Sequence, residues 1–293
     1  MAGSNKTIRV ASVQWQAGNI AHADAFHDRI DYFVHAAADY SADFVLFPEL
    51  FTLDLVARCD ASGPARVARQ THAHTERLIE QFSGLSRSCN INIIGGSHLH
   101  LDAAGEVRNT SHVFLRDGRM QTCVKIHPTP NERSALDVIG GSDASVIETD
   151  CGTVAVMICY DSEFPEVARH LVDQGARVLF VPYLTDTSHG HLRVRYCCHA
   201  RTVENQCYVV TSGVTGRFPS LPEPFGCYAQ SAILTPSDLP FARDGIAAEA
   251  TANTEMIILA DLDLDALDRA RKTGTVRNLN DRRPDVYRVD WMT

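Results

Sequence analysis

The chain has no apolar run approaching the roughly 20 residues that a membrane helix needs, and it has no basic excess: 27 Lys and Arg stand against 36 Asp and Glu, a formal net charge of −9. The first absence excludes a helical membrane span. The second argues against a nucleic-acid binder, which carries a basic field to meet phosphate, so small molecules are the expected partners. Nine cysteines (59, 89, 123, 151, 159, 197, 198, 207 and 227) form an odd set without Cys-x-x-Cys spacing, and no charged-then-apolar leader stands in MAGSNKTIRV. A reducing, cytoplasmic setting is expected. Thirteen histidines include the pairs His72/His74, His98/His100 and His189/His191, the last followed by Cys197, Cys198 and His199. Their spacings match no zinc pattern, so neither metal nor cofactor is expected.

What is there is an ordinary globular composition, 45% hydrophobic and 22% charged over 293 residues, enough for one large α/β domain or two modest ones. Ile8 to Gln14 reads as a strand, Phe26, Ile30, Phe33, Val34 and Ala37 as a helix face, and Phe44 to Phe47 as a buried strand. Leu78, Ile79, Phe82 and Leu85 make a second helix face before the strand Ile91 to Ile94 and Gly95-Gly96. The order recurs: Val154 to Ile158, a helix face with Phe164, Val167, Ala168, Leu171 and Val172, Val178 to Val181, a helix face with Leu192, Tyr196, Ala200 and Val203, then Tyr208 to Thr211. The text ADFVLFPEL at 42 to 50 is echoed by ARVLFVPYL at 176 to 184, which suggests two related halves. Between them Asp117-Gly118 joins two strand-like runs as a tight hairpin ending at Lys125. Strands near Tyr228 to Leu234 and Met256 to Leu262, a short helix from Asp265 and a polar arm follow.

Three candidates for chemistry sit at strand ends, where open α/β sheets place their sites. Cys159 precedes three carboxylates in MICYDSEFPE, Glu49 closes an apolar strand after Pro48, and Lys125 ends the hairpin. Each has an ordinary alternative: a buried core cysteine, an exposed strand-end acid, a solvated edge-strand lysine. Carboxylates raise a thiol's pKa, whereas an ammonium at about 4 Å is worth about 4 kcal/mol at an effective dielectric of about 20, so a nearby lysine would decide the thiol's state. Asp161, Glu163 and Glu166 are also the acids a helix start favours.

In register, LFPELF (Glu49), VKIHPTPNE (Lys125) and MICYDSEFPE (Cys159) resemble the marks of the nitrilase superfamily of carbon–nitrogen hydrolases, from about residue 8 to the RRPDVY segment at 282 to 287. The resemblance implies an α/β fold, a four-layer αββα sandwich with internal pseudo-two-fold symmetry, as a single domain over 1–293 with roughly 264–293 as a C-terminal arm. It implies a homodimer or larger assembly built through helical faces, no metal and no cofactor. The family's second glutamate is best matched by Glu132, with Glu148 a distant substitute, although Pro128 departs from the usual K-x-H-L. Arg201, Glu204 and Asn205 look like scaffold. The implied chemistry is amide or carbamoyl hydrolysis through a thioester on Cys159, with Glu49 as base and Lys125 and the Tyr160 backbone N–H stabilising the oxyanion.

The CYD text resembles amidases and carbamoylases more than nitrilases, which usually read CWE. Loops 183–191 and 215–226 would border the pocket, with Tyr183, Thr185 and Asp186 lining it and Arg193, Arg195 and Arg217 as candidate carboxylate partners. A nitrilase, a metal-dependent hydrolase using the histidine pairs, and a non-catalytic assembly or binding member are the alternatives.

Overall fold

The computed structural model describes residues 6–18, 20–56, 64–219 and 226–292. The first half comprises β1 (Thr7–Ala17), α1 (Ala23–Asp39), β2 (Phe44–Leu46), α2 (Pro64–His72), α3 (Thr75–Ser88), β3 (Asn92–Ile94), β4 (His98–Leu101), β5 (Val107–Phe114), β6 (Met120–Val124) and α4 (Pro130–Leu136). The second comprises β7 (Ile147–Thr149), β8 (Gly152–Val156), α5 (Pro165–Asp173), β9 (Val178–Tyr183), α6 (Ser188–Asn205) and β10 (Tyr208–Arg217). There follow β11 (Gly226–Cys227), β12 (Ala232–Leu234), β13 (Ile246–Glu249), β14 (Met256–Asp263) and α7 (Leu264–Thr273).

In each half a short apolar strand lies parallel between two others: β2 between β1 and β3, β9 between β8 and β10. Such strands are covered on both faces, which is why they read as unbroken apolar runs. Strand alternation divides β1 between two environments. Ala11, Val13 and Trp15 pack with Phe26, Ile30 and Phe33 of α1, whereas Ile8 and Val10 join Phe44 and Leu46 on the face toward the second half. There Phe44 meets Phe180 of β9 with ring centroids 5.3 Å apart. The result is α/β with helices outside and two sheets inside, joined where β1 and β10 pair through Trp15 and Val214.

One helix departs from its apolar pattern. On α6 the stripe Leu192, Tyr196 and Val203 is 39%, 65% and 41% exposed, while the buried face carries His191, Val194, Arg195, Cys198, Arg201, Thr202 and Asn205. The two arginines can face inward because they have partners: Arg201 donates from Nε to Ser162 O at 3.0 Å and pairs with Glu204 at 2.8 Å, and Arg195 pairs with Glu249. Beyond α7 the chain has no helix or strand through residue 292 and lies along α5, with Trp291 stacked on His170 at 4.5 Å.

Among the described residues no helix is long and apolar enough to cross a membrane. His98, 4% exposed, is held between the hydroxyls of Thr52 (3.0 Å) and Thr75 (2.8 Å). Burial pushes its pKa down from 6.5 to about 3, and that of nearby His112 to about 4. With folded pKa values below the unfolded one, both groups contribute stability that is complete above pH 6.5 and drains as pH falls toward those values. We expect the unfolding free energy of wild type to fall by about 2 kcal/mol more than that of His98→Gln between pH 6.5 and about 4.5 in urea titrations. Parallel pH dependences in the two proteins would contradict this.

Candidate active site

Glu49 follows β2 in a sharp turn. Leu50 takes φ +50°, and its N–H donates to Ser97 O at 3.0 Å while Ser97 N–H returns to Pro48 O at 3.2 Å. The backbones meet so closely that a Cβ on Gly96 would come within 2.1 Å of Pro48 O, which is what the glycine after β3 is for. Lys125 follows β6, its backbone held by Asn109 O on one side and Gly141 N–H on the other. Glu132 stands in the first turn of α4, where Thr129 and Glu132 form a reciprocal capping box.

These three side chains converge. The Lys125 ammonium, 1% exposed, lies 2.8 Å from Glu49 Oε1 and 2.6 Å from Glu132 Oε2. Asn109 Nδ2 donates to Glu49 Oε1 at 3.0 Å and to Glu132 Oε1 at 2.8 Å, so one amide ties both carboxylates together. The second oxygen of Glu49 accepts from Leu184 N–H at 2.9 Å, and the carbonyl of the same residue lies 3.8 Å from Cys159 Sγ. The Glu49 charge acts on the thiol across this gap. Leu184, bonded to both residues, thus brings the sulfur to the charged group.

Cys159 occupies a left-handed backbone position, φ +48°, at the start of a short 3-10 turn over Cys159–Glu163. A non-glycine residue there carries strain that the surroundings must offset. Ser162 Oγ donates to Cys159 O at 2.6 Å, and Met157 N–H is paired to Phe180 O. The Tyr160 N–H lies in the first turn, where amides lack an intrahelical acceptor.

Burial is the largest influence on the thiol and pushes its pKa well above 9.0, with Glu49 adding to it and Lys125 opposing. Sequence reasoning expected the lysine to decide the thiol's state. It does not: burial outweighs it, and Glu49 adds to the burial. Burial opposes the lysine's charge, but Glu49 and Glu132 outweigh it and hold the ammonium above its usual range. Burial raises the Glu49 carboxyl against the pull of Lys125; burial also acts to raise Glu132, but there the lysine and the Thr129 and Asn109 hydrogen bonds prevail and lower it. The set is a neutral thiol beside an ammonium, a low-pKa carboxylate and a carboxylate of raised basicity.

Most of the other expected residues have partners of their own. Tyr183 is buried, its hydroxyl accepting from Gln230 N–H at 3.0 Å and its ring filling the space that any side chain at Gly213 would need. Thr185 is buried with its hydroxyl donated to Tyr228 O at 2.8 Å, and Asp186 is exposed. Of the loop at 215–226, residues 220–225 lie outside the described residues, as does Cys59. Arg195 is occupied by Glu249, and Arg193 stands 3.8 Å from Glu163. The eight described cysteines are free thiols. Glu148 accepts from Thr153, away from the charged cluster. Asn109 and Leu184 were missed: one is a polar residue among the polar neighbours Arg108, Thr110 and Ser111 of β5, the other acts through its backbone, which no side-chain pattern reveals.

The carbon–nitrogen hydrolase family model matches residues 9–272. The chain belongs to this family. It is 42% identical over 284 residues, 97% of its length, to "Probable hydrolase YhcX" of Bacillus subtilis, of which it spans only 55%. It is 29% identical to the deaminated glutathione amidase of Bos taurus, over 87% of this chain and 76% of that one. Among solved structures it resembles Saccharomyces cerevisiae Nit3, a member of branch 10 of the nitrilase superfamily, with a TM-score of 0.73, 26% identity and coverage of 91% and 93%. Amidases are among the relatives that it matches.

Removing the ammonium would leave two buried carboxylates facing each other. Lys125→Met is expected to lower the unfolding free energy at neutral pH by about 3–5 kcal/mol, read in urea. A variant as stable as wild type would mean that the lysine is not the counter-ion of both acids.

Proposed function

We propose that this carbon–nitrogen hydrolase cleaves an amide or carbamoyl C–N bond of a small molecule through a thioester on Cys159. The observation that carries the proposal is that Glu49 pairs with the Lys125 ammonium through one oxygen and, through the other, with Leu184 N–H, whose carbonyl lies 3.8 Å from the Cys159 sulfur. The raised basicity of Glu49 suits it to take a proton from a thiol that rests neutral.

In the proposed cycle the sulfur attacks the substrate carbonyl as Glu49 takes the S–H proton. The oxyanion forms against the Lys125 ammonium and the Tyr160 N–H. The C–N bond breaks as Glu49 returns the proton to nitrogen, releasing ammonia or an amine and leaving the thioester. Water then attacks the acyl carbon, Glu49 takes its proton, and the acid departs as the proton returns to sulfur. Glu132 and Asn109 hold Lys125 and Glu49 in place throughout.

The amidase activity of the Bos taurus relative supports amide over nitrile. The outward apolar stripe of α6 supports a homodimer formed through that helix, and the free thiols support a reducing, cytoplasmic setting.

The test is ammonia release from a panel of small amides and carbamoyl compounds. Cys159→Ala is expected to lose about 10⁴-fold or more in kcat, as nucleophile removal does in other hydrolases, and Glu49→Gln about 10²- to 10⁴-fold. Full turnover by both variants sinks the mechanism.

A further inference from the structure

The acid two residues after the nucleophile is not a helix cap. The carboxylate of Asp161, 3% exposed, leaves its own turn and reaches the segment that follows Lys125. Its Oδ2 accepts from Ile126 N–H at 3.2 Å. Its Oδ1 accepts from His127 N–H at 2.8 Å and from the ring Nδ1–H of His127 at 2.9 Å. The His127 ring lies flat on Phe164, centroids 3.7 Å apart and planes within 9°, and Phe164 N–H in turn bonds to Asp161 O. Two segments 34 residues apart in sequence are therefore fastened at one carboxylate, and each carries a reacting group two positions upstream: Lys125 before His127, Cys159 before Asp161.

No other described side chain bonds to the Ile126 or His127 amides. On its far side the Lys125 segment is held by Gly141 N–H and by Asn109 O, both belonging to the first half and the linker rather than to the cysteine turn. Asp161 thus ties the backbone that carries the ammonium to the turn that carries the sulfur. We propose that Asp161 is a positioning residue that registers Lys125 against Cys159, and that it, rather than helix initiation, explains an acid at this place. The proposal rests on the thioester mechanism above, in which a small displacement of the lysine weakens oxyanion stabilisation without removing any group that binds the substrate.

Asp161→Asn places an amide donor against backbone N–H groups that need an acceptor. The variant is expected to lose about 10²-fold in kcat with KM unchanged within about threefold, because misplacement by about 1 Å acts on the transition state. Since Lys125 lowers the thiol's pKa, moving it away shifts the pH midpoint for alkylation of Cys159 by iodoacetamide upward, a readout that a purely structural role would leave in place. A folded Asp161→Asn with wild-type kcat and an unmoved midpoint overturns the proposal. The midpoint is measured on the thiol itself, so it stands apart from the mechanism, whose own failure would appear as turnover by Cys159→Ala. If the variant does not fold, amide hydrogen exchange in the wild type decides: slow exchange at Ile126 and His127 is expected, and exchange at the rate of an open loop overturns it.

Discussion

An ammonium group with 1% of its side chain in contact with solvent lies between two carboxylates, and the rest of the site is arranged around that burial. Attraction at about 3 Å is on the order of 5 kcal/mol per contact at an effective dielectric of about 20, comparable with the penalty for taking each ion out of water. A single partner would leave the balance near zero. Two partners, each also accepting from Asn109 and from one backbone N–H, Leu184 for Glu49 and Thr129 for Glu132, make the buried charge tenable. Because the acids come from the end of β2 and the first turn of α4, the ion set also joins three separate stretches of chain at one point.

The same arithmetic explains the thiol. Lysine and two carboxylates sum to one negative charge, and a thiolate would add a second in a buried site. Burial first and Glu49 second favour the protonated thiol, and in the proposed mechanism Glu49 is also the group that takes its proton at the moment of attack. The strained backbone at Cys159 and the clamp by Asp161 hold the sulfur at this boundary. In the proposed mechanism a substrate carbonyl supplies an atom on which the negative charge can settle beside Lys125.

Much of this was legible in the sequence, and the limits have physical reasons. The parallel strands announced themselves as apolar runs, and the α1 face Phe26, Ile30, Phe33, Val34 and Ala37 is buried as its spacing requires. Glu49, Lys125 and Cys159 stood out because charge and thiol at strand ends are costly without a purpose. Glu132 carried its own signal in Thr129-Pro130-Asn131-Glu132, a capping box whose acid has a second task. The α6 stripe misled, since periodicity cannot tell a core from a surface when inward arginines are paired. Asn109 was hidden among the polar residues of its strand, and the lysine's influence on the thiol was overestimated because a pairwise estimate omits burial and the competing acids.

The protonation state of Cys159 at rest tests this picture most directly. The ultraviolet absorbance of thiolate, taken as the difference between wild type and Cys159→Ala across a pH titration, isolates this one sulfur. A neutral thiol pushed up by burial and Glu49 predicts no step near neutrality and ionisation only above the ordinary thiol range. A step at or below neutral pH would mean that Lys125 holds a preformed thiolate, and the assignment of Glu49 as the base would fall with it.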